Sequence, residues 1–342
     1  MKIILLMDPF IPVPPIHYGG IERVIYDIAC KYIQMGHEVT LIAGPQSKSP
    51  GKLITYSENG NGYTKLDFSV LKELYFILKK EIPRHDVIHN FGRLAFLFPI
   101  AWTRINKVQT YMRYITPNNI KWLNRIGCRN ITYTAVSDAI VKTGIAGGGD
   151  WKTVYNCAPI EQFDFIEQVP DDAPLVFLGR LERCKGAHSA IAVAKMANRK
   201  LIIAGNISHL QDELDYFNNE VKPHIDDVLI KYIGVVDNEQ KNKLLCSAAA
   251  MLLPIEWYEP FPIVLPESFA CGTPILAFPN GGVPEGIREG VTGFLCNNVD
   301  DMSRQVNNIH LLNRAACRKE AEERYSDTVI AEEYFKIYNH KN

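Results

Sequence analysis

The chain has 342 residues, of which 47% are hydrophobic and 22% charged, and its net charge is −1 at neutral pH. This length predicts two domains of about 150 residues each, and the composition is that of a globular protein rather than a disordered or fibrous one. The eight cysteines form no CxxC pair, which argues against a zinc ribbon or a thioredoxin-like motif and favours reduced, partly buried thiols.

The first segment, MKIILLMDPFIPVPP, has an apolar run of five residues before Asp8, and prolines then interrupt it. It therefore predicts a buried first strand over residues 2–7 and not a signal peptide. The stretch IERVIYDIACKYIQMG then repeats its apolar residues with the helical period, and the short apolar run HEVTLIAG follows it. This order predicts a βαβ unit with parallel strands. Further strands of the first half are predicted at 86–90, 131–136 and 152–156.

The near-zero net charge hides an asymmetry between the two halves. Residues 1–155 carry a net charge of +8 and residues 156–342 a net charge of −9. The segment Ala101–Asn130 holds six basic residues and no acid, and aromatic residues lie among them. The asymmetry supports two domains and indicates an anionic surface as a partner of the first.

Three interpretations of segment 101–130 stay open: contact with an anionic membrane that carries the acceptor, a cleft for a soluble anionic substrate, or a solvated face. The longest later apolar run, residues 94–102, is too short to cross a bilayer, which needs about 20 residues. We therefore expect a cytoplasmic protein, which under the first interpretation is peripheral at the inner face of the membrane. No nucleic acid partner is expected.

Short apolar runs alternate with helical patterns through the second half of the chain. The runs are LVFLGRL, KLIIAG, VLIKYIG, AAMLLP and PILAF. This alternation predicts an α/β fold with mostly parallel sheets, and we expect doubly wound domains at 1–155 and 156–324. Because open α/β sheets bind ligands beyond the carboxyl ends of their strands, the loops that follow strands are the places to search for a site.

Two of these loops could bind anions. Gly19 and Gly20 precede a helix, where bare amides and the positive helix end can bind an anion, although a simple tight turn is equally compatible with the pattern. The absence of GxGxxG argues against a dinucleotide site. In LGRLERCKGAH, Arg180 and Lys185 lie between a strand and a helix, and two cations there suit a diphosphate. The alternative is a pair of solvated surface charges.

A third loop, EWYEPFPIVLPESFACGTPILAF, places two acids between two strands. Prolines keep Glu259 in a loop, whereas Pro266 suits the first turn of a helix and puts Glu267 in that turn. Carboxylates accept hydrogen bonds from ligand hydroxyls, although Glu267 could also be a favourable charge at a helix N-terminus. Cations for phosphates and acids for hydroxyls together indicate a sugar nucleotide. A fourth loop, FPNGGVPEGI, again has a Gly-Gly pair after a strand.

Over essentially its whole length the chain resembles the GT-B glycosyltransferases of the retaining family 4. The matching stretches, in order, are YGGIERV, GHEVTL, DVIH, AVSD, GRLERCKG, EPFPIVLPE with SFACGTPILA, and GGVPEGI followed by GFL. The resemblance implies two Rossmann-like doubly wound domains that face each other across a cleft. It also implies that a final helix at about 325–342 packs back on the N-terminal, acceptor-side domain, while the C-terminal domain binds the nucleotide sugar.

The resemblance further implies roles for single residues. Arg180 and Lys185 would neutralise the donor diphosphate, and Glu267 would bind the ribose hydroxyls. Glu259 would contact the transferred sugar, and His89 would lie near it, although a lone histidine is by default structural. The remaining implied donor contacts come from the loop that closes over the phosphates and from the segment between the two acids, and they are Gly19, Gly20, Phe261, Ile263 and Val264.

Departures from the family pattern bear on the donor sugar rather than on the fold. Pro262 stands where the family has glycine, and proline has no N–H to donate. Cys157-Ala158-Pro159 replaces a usual Gly-Val-Asp. No DxD occurs, so we expect no metal and no cofactor, with a UDP- or GDP-sugar as the donor substrate.

The mechanism expected from the sequence is a retaining transfer in which the acceptor hydroxyl approaches on the face that the nucleotide leaves. The acceptor is open, and a lipid-linked glycan or a cell-surface polysaccharide precursor is one hypothesis. The alternatives are a sugar-nucleotide 2-epimerase of the same fold, whose acid and base residues the sequence does not locate, and a non-catalytic two-lobe sugar-binding protein.

Overall fold

The structure is a computed structural model, and it describes residues 1–16, 19–56 and 68–339. The chain divides into two compact units: a first unit of residues 1–156 with 327–342, and a second unit of residues 157–326. In the described ranges each unit contains one parallel β-sheet with helices packed against it.

The first unit is built on a seven-stranded parallel sheet, as far as its described residues go. Its strands are β1 Lys2–Leu6, β2 Glu38–Ala43, β3 Lys52–Thr55, β4 Val87–Asn90, β5 Asn106–Tyr111, β6 Ile131–Ala135 and β7 Asp150–Thr153. Its helices before the second unit are α1 Gly20–Gln34, α2 Phe68–Glu81, α3 Asn118–Arg125 and α4 Asp138–Gly144, with short 3-10 segments at Ile82–Arg84, Leu94–Ile100 and Ile145–Gly147.

The strand order of the first sheet is β3-β2-β1-β4-β5-β6-β7. The chain moves outward from β1 to β3 and then returns to β4, so the order reverses between β1 and β4. On one face of the sheet, apolar side chains of α2, α3, α4 and the segment Leu94–Ile100 form a continuous core with the strands. In such a sheet the reversal point is where a ligand site is expected, beyond the carboxyl ends of the two strands.

The second unit has a six-stranded parallel sheet in the order β10-β9-β8-β11-β12-β13. Its strands are β8 Leu175–Leu178, β9 Leu201–Ala204, β10 Ile230–Tyr232, β11 Ala250–Leu253, β12 Ile275–Ala277 and β13 Gly293–Leu295. Its α-helices are α5 Ala187–Met196, α6 Gln211–Tyr216, α7 Asn238–Ser247, α8 Val264–Ala270, α9 Val283–Gly286, α10 Val299–Val306 and α11 Arg314–Arg324. A π-helical turn, Phe217–Val221, follows α6, and 3-10 segments lie at Ile160–Gln162, Arg183–Lys185, Lys222–His224 and Ile309–Leu311.

The last helix, α12 Asp327–Tyr338, belongs to the first unit. It packs on α1, where the ammonium of Lys31 lies 3.0 Å from the carboxylate of Asp327. The hydroxyl of Tyr338 lies 2.8 Å from that of Tyr32. These polar contacts are buried, and they attach the end of the described chain to its beginning.

The fold class is confirmed: the units are two Rossmann-like, doubly wound domains with parallel sheets. The strand predicted at 152–156 lies two to three residues earlier, at β7, and β3, β5 and β13 were not predicted as strands. In β5, Lys107 and Gln109 are buried, so the strand lacks the apolar run that marks the others. No helix of the described ranges is both long and apolar enough to span a bilayer.

Candidate active site

Two loops that carry predicted site residues leave neighbouring strands of the second sheet. Residues 179–186 follow β8 and residues 254–263 follow β11, and these two strands pair directly. The strand order of this sheet reverses between them. The loops therefore lie where an open parallel sheet is expected to bind a ligand.

Gly186 allows the first loop to lie directly on the second. Its φ is 77°, and a Cβ atom there would lie 2.0 Å from the carbonyl oxygen of Pro254. The amide of Glu256 also donates a hydrogen bond of 2.9 Å to the carbonyl oxygen of Cys184. Only glycine permits this approach and this dihedral angle without strain. The two loops are thus held together through their backbones.

The fourth loop, residues 279–282 after β12, contacts the backbone of the loop that carries Glu259. Gly281 has a φ of 63°, and a Cβ atom there would lie 2.1 Å from the backbone oxygen of Glu259. The amide of Gly282 donates to that oxygen at 2.7 Å, and the side chain of Asn280 donates to the carbonyl of Ile255 at 2.6 Å. This Gly-Gly pair therefore fixes the backbone from which Glu259 projects.

Lys185 and Glu259 form an ion pair at the junction of the loops. The Nζ atom of Lys185 lies 2.5 Å from Oε2 of Glu259. The indole Nε1 of Trp257 donates to the same oxygen, and the ammonium of Lys185 lies 5.0 Å from the centre of the Trp257 ring. Both charged side chains are largely buried, so their attraction is screened less than that of a surface pair. The two residues lie 74 positions apart in sequence, and the structure brings them into contact.

Glu267 lies in the first turn of α8, as predicted, and it is paired with Lys241 of α7. The two side chains are only 4% and 7% exposed. The ammonium of Lys241 also lies 5.4 Å from the ring centre of Phe163. Sequence analysis did not identify Lys241, because a lysine in a polar helix looks like a solvated charge until the partner helix is known.

Arg180 is on the same loop as Lys185, but its guanidinium pairs with Glu182 two residues further on. The neighbouring Arg183 pairs with Glu220. Each predicted phosphate-binding cation of this loop, Arg180 and Lys185, thus has a carboxylate partner in the described structure. An incoming diphosphate would compete with these carboxylates for the two cations.

Glu256 is a further acid at this edge of the sheet that the sequence analysis did not consider. Its Oε1 atom lies 3.0 Å from Nε2 of His188 and accepts a hydrogen bond of 3.2 Å from the hydroxyl of Ser189. Burial lowers the pKa of His188, and the charge of Glu256 partly opposes that shift. The carboxylate therefore faces the start of α5, where a negative charge is favourable.

The segment between the two acids runs into the start of α8. Ile263 is the residue before the helix and Val264 is its first residue, while the carbonyl of Pro262 accepts from the amide of Leu265 at 3.1 Å. The first amides of a helix have no carbonyl partner within it, which makes this turn suited to donate hydrogen bonds to a ligand. The ring of Phe261 is buried, 5.6 Å from the ring of Tyr325.

In the first unit, Gly19 and Gly20 form the start of α1, after β1 at the reversal point; Tyr18 of the matching stretch lies outside the described residues. A Cβ atom at Gly19 would lie 2.7 Å from Oε2 of Glu22. Glu22 is buried, and burial raises the pKa of its carboxyl. A carboxylate oxygen of the protein therefore lies close to Gly19, one of the two glycines that were predicted to bind phosphate.

His89 lies within β4 and is fully buried. Its Nδ1 atom lies 2.6 Å from the hydroxyl of Tyr338, its Nε2 atom lies 2.6 Å from the hydroxyl of Thr110, and its ring stacks on Phe91. Burial lowers the pKa of the imidazole well below its usual value. Both ring nitrogens are engaged inside the first unit, which is the geometry of a structural histidine. Its role beside the transferred sugar stays a prediction.

Two family models match the chain. Residues 18–156 match the model described as Glycosyltransferase Family 4, and residues 160–324 match the model described as Glycosyl transferases group 1. The two ranges coincide with the two units apart from their ends and the last helix. Together they contain the four loops that the sequence analysis selected.

Among curated relatives, glycogen synthase of Mycobacterium tuberculosis is 31% identical over 183 residues, which are 51% of this chain and 43% of the relative. The chain spans about half the length of this relative and of two further curated relatives that it matches. Among solved structures, AviGT4, a glycosyltransferase involved in avilamycin A biosynthesis, has a TM-score of 0.72 and 24% identity, covering 98% of this chain and 96% of that one.

A second solved structure, Alr3699/HepE of Anabaena in complex with UDP-glucose, has a TM-score of 0.72 and 20% identity, with 98% of each chain covered. At such identities these neighbours show the fold. The family models, the order of the matching stretches and the two parallel sheets agree with one another. The chain therefore belongs to the glycosyltransferases of family 4 and group 1, which have the GT-B fold.

Proposed function

We propose that this protein is a retaining, metal-independent glycosyltransferase that moves a sugar from a nucleotide-diphosphate donor to an acceptor hydroxyl. The observation that carries the proposal is the arrangement of Lys185–Glu259 and Lys241–Glu267 around the reversal point of the second sheet. Such a site offers cations for a diphosphate and carboxylates for sugar hydroxyls. A neighbour of the same fold was crystallised with UDP-glucose, which supports a nucleotide-sugar donor.

The ion pair of Lys185 and Glu259 suits a change of partners on donor binding. In the described structure the ammonium is neutralised by the carboxylate at 2.5 Å. A diphosphate next to Lys185 takes over that charge, and the released carboxylate of Glu259 accepts hydrogen bonds from hydroxyls of the sugar. As the glycosidic bond breaks, negative charge grows on the leaving diphosphate, so a cation at this place stabilises the transition state more than the ground state.

Retention follows if the acceptor hydroxyl attacks from the side of the leaving diphosphate. A phosphate oxygen then takes the proton of that hydroxyl, the new glycosidic bond forms as the old one breaks, and the nucleotide diphosphate leaves with the bonding electron pair. This route needs no protein nucleophile. Metal independence is proposed because no DxD is present to bridge a diphosphate through a metal ion.

We also propose that the first unit binds the acceptor, and that the acceptor is a lipid-linked glycan or a cell-surface polysaccharide precursor presented at the inner face of a membrane. The support is the basic segment Ala101–Asn130, which carries six cations and no acid. An acceptor with an anionic lipid carrier would match that charge.

The test is a thermal-shift screen with UDP-, GDP- and ADP-sugars, followed by an assay for release of free nucleotide diphosphate. One nucleotide class should raise the melting temperature, because a ligand that binds only the native state stabilises it. Release of nucleotide diphosphate should then require an acceptor extract and leave the anomeric configuration of the sugar unchanged. Conversion of the donor to its 2-epimer would identify an epimerase instead, and stabilisation without turnover would identify a binding protein.

A further inference from the structure

Three aromatic rings form an exposed cluster on the first unit. Phe98, Trp102 and Trp122 are 38%, 55% and 52% exposed. The ring centre of Phe98 lies 6.0 Å from that of Trp102 and 5.3 Å from that of Trp122. Single exposed aromatic residues need no explanation, but three in contact form an apolar surface that water solvates poorly.

The elements that carry the three rings are held in place by neighbouring side chains that are buried in the core of the first unit. Beside Phe98, the side chains of Phe96 and Leu97 are fully buried, and on α3 the side chains of Ile120 and Leu123 are buried beside Trp122. These residues belong to the core on that face of the sheet. The rings therefore project from a fixed layer, because the neighbouring positions of the same turns are committed to the core.

The indole of Trp102 has its polar atom satisfied within the protein. Its Nε1 atom donates to the carbonyl of Ile126 at 3.0 Å, and the amide of Arg129 donates to the carbonyl of Ala101 at 2.9 Å. A ring whose N–H is already bonded loses little when its other edge leaves water. Trp102 is thus prepared to enter an apolar or interfacial environment.

Cations surround the aromatic cluster. Lys121 and Arg125 are exposed on the same side of α3 as Trp122. Arg104 is exposed two positions after Trp102, and Arg129 is exposed where its amide bonds the carbonyl of Ala101, the residue before Trp102. The sequence contains no Asp or Glu between residues 87 and 137. A surface that binds another protein ordinarily carries charges of both signs. A surface on which only cations surround aromatic rings fits the anionic headgroups of a membrane.

Two residues of the basic segment 101–130, Lys107 and Tyr111, are held inside the first unit and cannot belong to a membrane interface. Lys107 is 1% exposed, and its ammonium donates to the carbonyls of Thr103, Ile105 and Arg129, while burial lowers its pKa to about 8. Tyr111 stacks on aromatic rings of β6 and β7. Neither residue can reach a membrane surface without unfolding.

We propose that the aromatic patch, defined as Phe98, Trp102 and Trp122 with the cations Arg104, Lys121, Arg125 and Arg129, binds the surface of a bilayer that contains anionic lipid. The rings lie at the level of the headgroups, and the cations contact lipid phosphates and carboxylates. This deepens the membrane contact put forward under the proposed function and rests on it, while it is independent of the donor chemistry in the second unit.

The experiment is co-sedimentation of the whole protein with vesicles of phosphatidylcholine alone, or with about a third phosphatidylserine, at low and physiological salt. Binding should require the anionic lipid and weaken as salt rises. The paired Trp102→Ser and Trp122→Ser substitutions should reduce binding to the level without anionic lipid, whereas Trp102→Phe with Trp122→Phe should retain most of it. The paired Lys121→Gln and Arg125→Gln substitutions should weaken binding about fivefold for each cation removed.

The matched control removes two exposed cations of the second unit, Lys243→Gln with Lys319→Gln, and should bind vesicles like the wild type. Melting curves, with and without the stabilising nucleotide, verify that every variant is folded and keeps its donor site. No binding to anionic vesicles at low salt overturns the proposal. Binding that survives the serine substitutions, or that is equally strong to heparin, also overturns it, because the surface would then be a general polyanion site.

Discussion

Substituting Lys241 with methionine tests the buried pair that sequence analysis did not find. The change keeps most of the side-chain volume and removes the ammonium that contacts the carboxylate of Glu267. These side chains are 7% and 4% exposed, so water cannot replace the lost partner without reorganisation. Removing one partner of a buried pair costs about 3–5 kcal/mol in the free energy of unfolding, because the other charge stays buried alone.

For a unit of this size, such a loss lowers the melting temperature by roughly 10 °C. Urea unfolding of Lys241→Met, Glu267→Gln and the double variant gives the coupling energy of the pair. We expect the double variant to recover most of the stability lost by Lys241→Met, because it no longer contains the unpaired carboxylate. The control is Lys243→Met on the same helix, whose pair with Glu239 is exposed and should contribute nothing measurable.

The reasoning is refuted if Lys241→Met lies within about 1 kcal/mol of the wild type. It is also refuted if the losses of the two single variants simply add in the double variant. Either result would mean that the pair is open to water in solution and that Glu267 does not depend on Lys241.

Four further predictions concern the donor site and the first unit. Lys185→Ala should lower turnover roughly a hundredfold or more, since it removes a charge contact that strengthens as the bond breaks, and near wild-type turnover would contradict the assignment. Glu267→Gln should weaken binding of the free nucleotide diphosphate in calorimetry, whereas Glu259→Gln should spare it and impair the intact donor; equal effects would disprove this division. Activity should survive EDTA, and loss that manganese or magnesium restores would overturn the metal-free mechanism. Because the pKa of His89 is lowered in the folded state, the unfolded chain alone takes up a proton as the pH falls below about 6.5, so stability should fall there by up to about 1.4 kcal/mol per pH unit. His89→Gln should remove that part of the pH dependence of stability. An unchanged dependence would show that the imidazole is accessible to water in the folded protein.

The pairing of residues in the candidate site was only partly accessible from the sequence. Glycines and prolines marked the loops, since these residues restrict the backbone locally, and Glu267 lies in the first helical turn as predicted. Lys185 and Glu259, which are 74 positions apart, were predicted separately, and their contact depends on the adjacency of β8 and β11. Lys241 could not be selected, because its burial comes from a helix that pairs with it only in the folded chain.

The alternation of short apolar runs and amphipathic helices by itself determined the two parallel sheets with their crossover helices. Strands of a parallel sheet are buried on both faces and must therefore be apolar, and the local periodicity of a helix shows which of its side chains are buried. Only the tertiary structure decided which buried polar side chains contact each other, because a local sequence pattern does not show contacts between distant residues. Strand β5 has a buried Lys107 that is stable only because three backbone carbonyls accept its hydrogen bonds. Likewise, the hydroxyl of Tyr338 is buried against His89, 249 positions earlier, so the return of the last helix to the first unit depends on a polar contact that forms only when both are in place. Buried polar groups need partners, and those partners are distant in sequence.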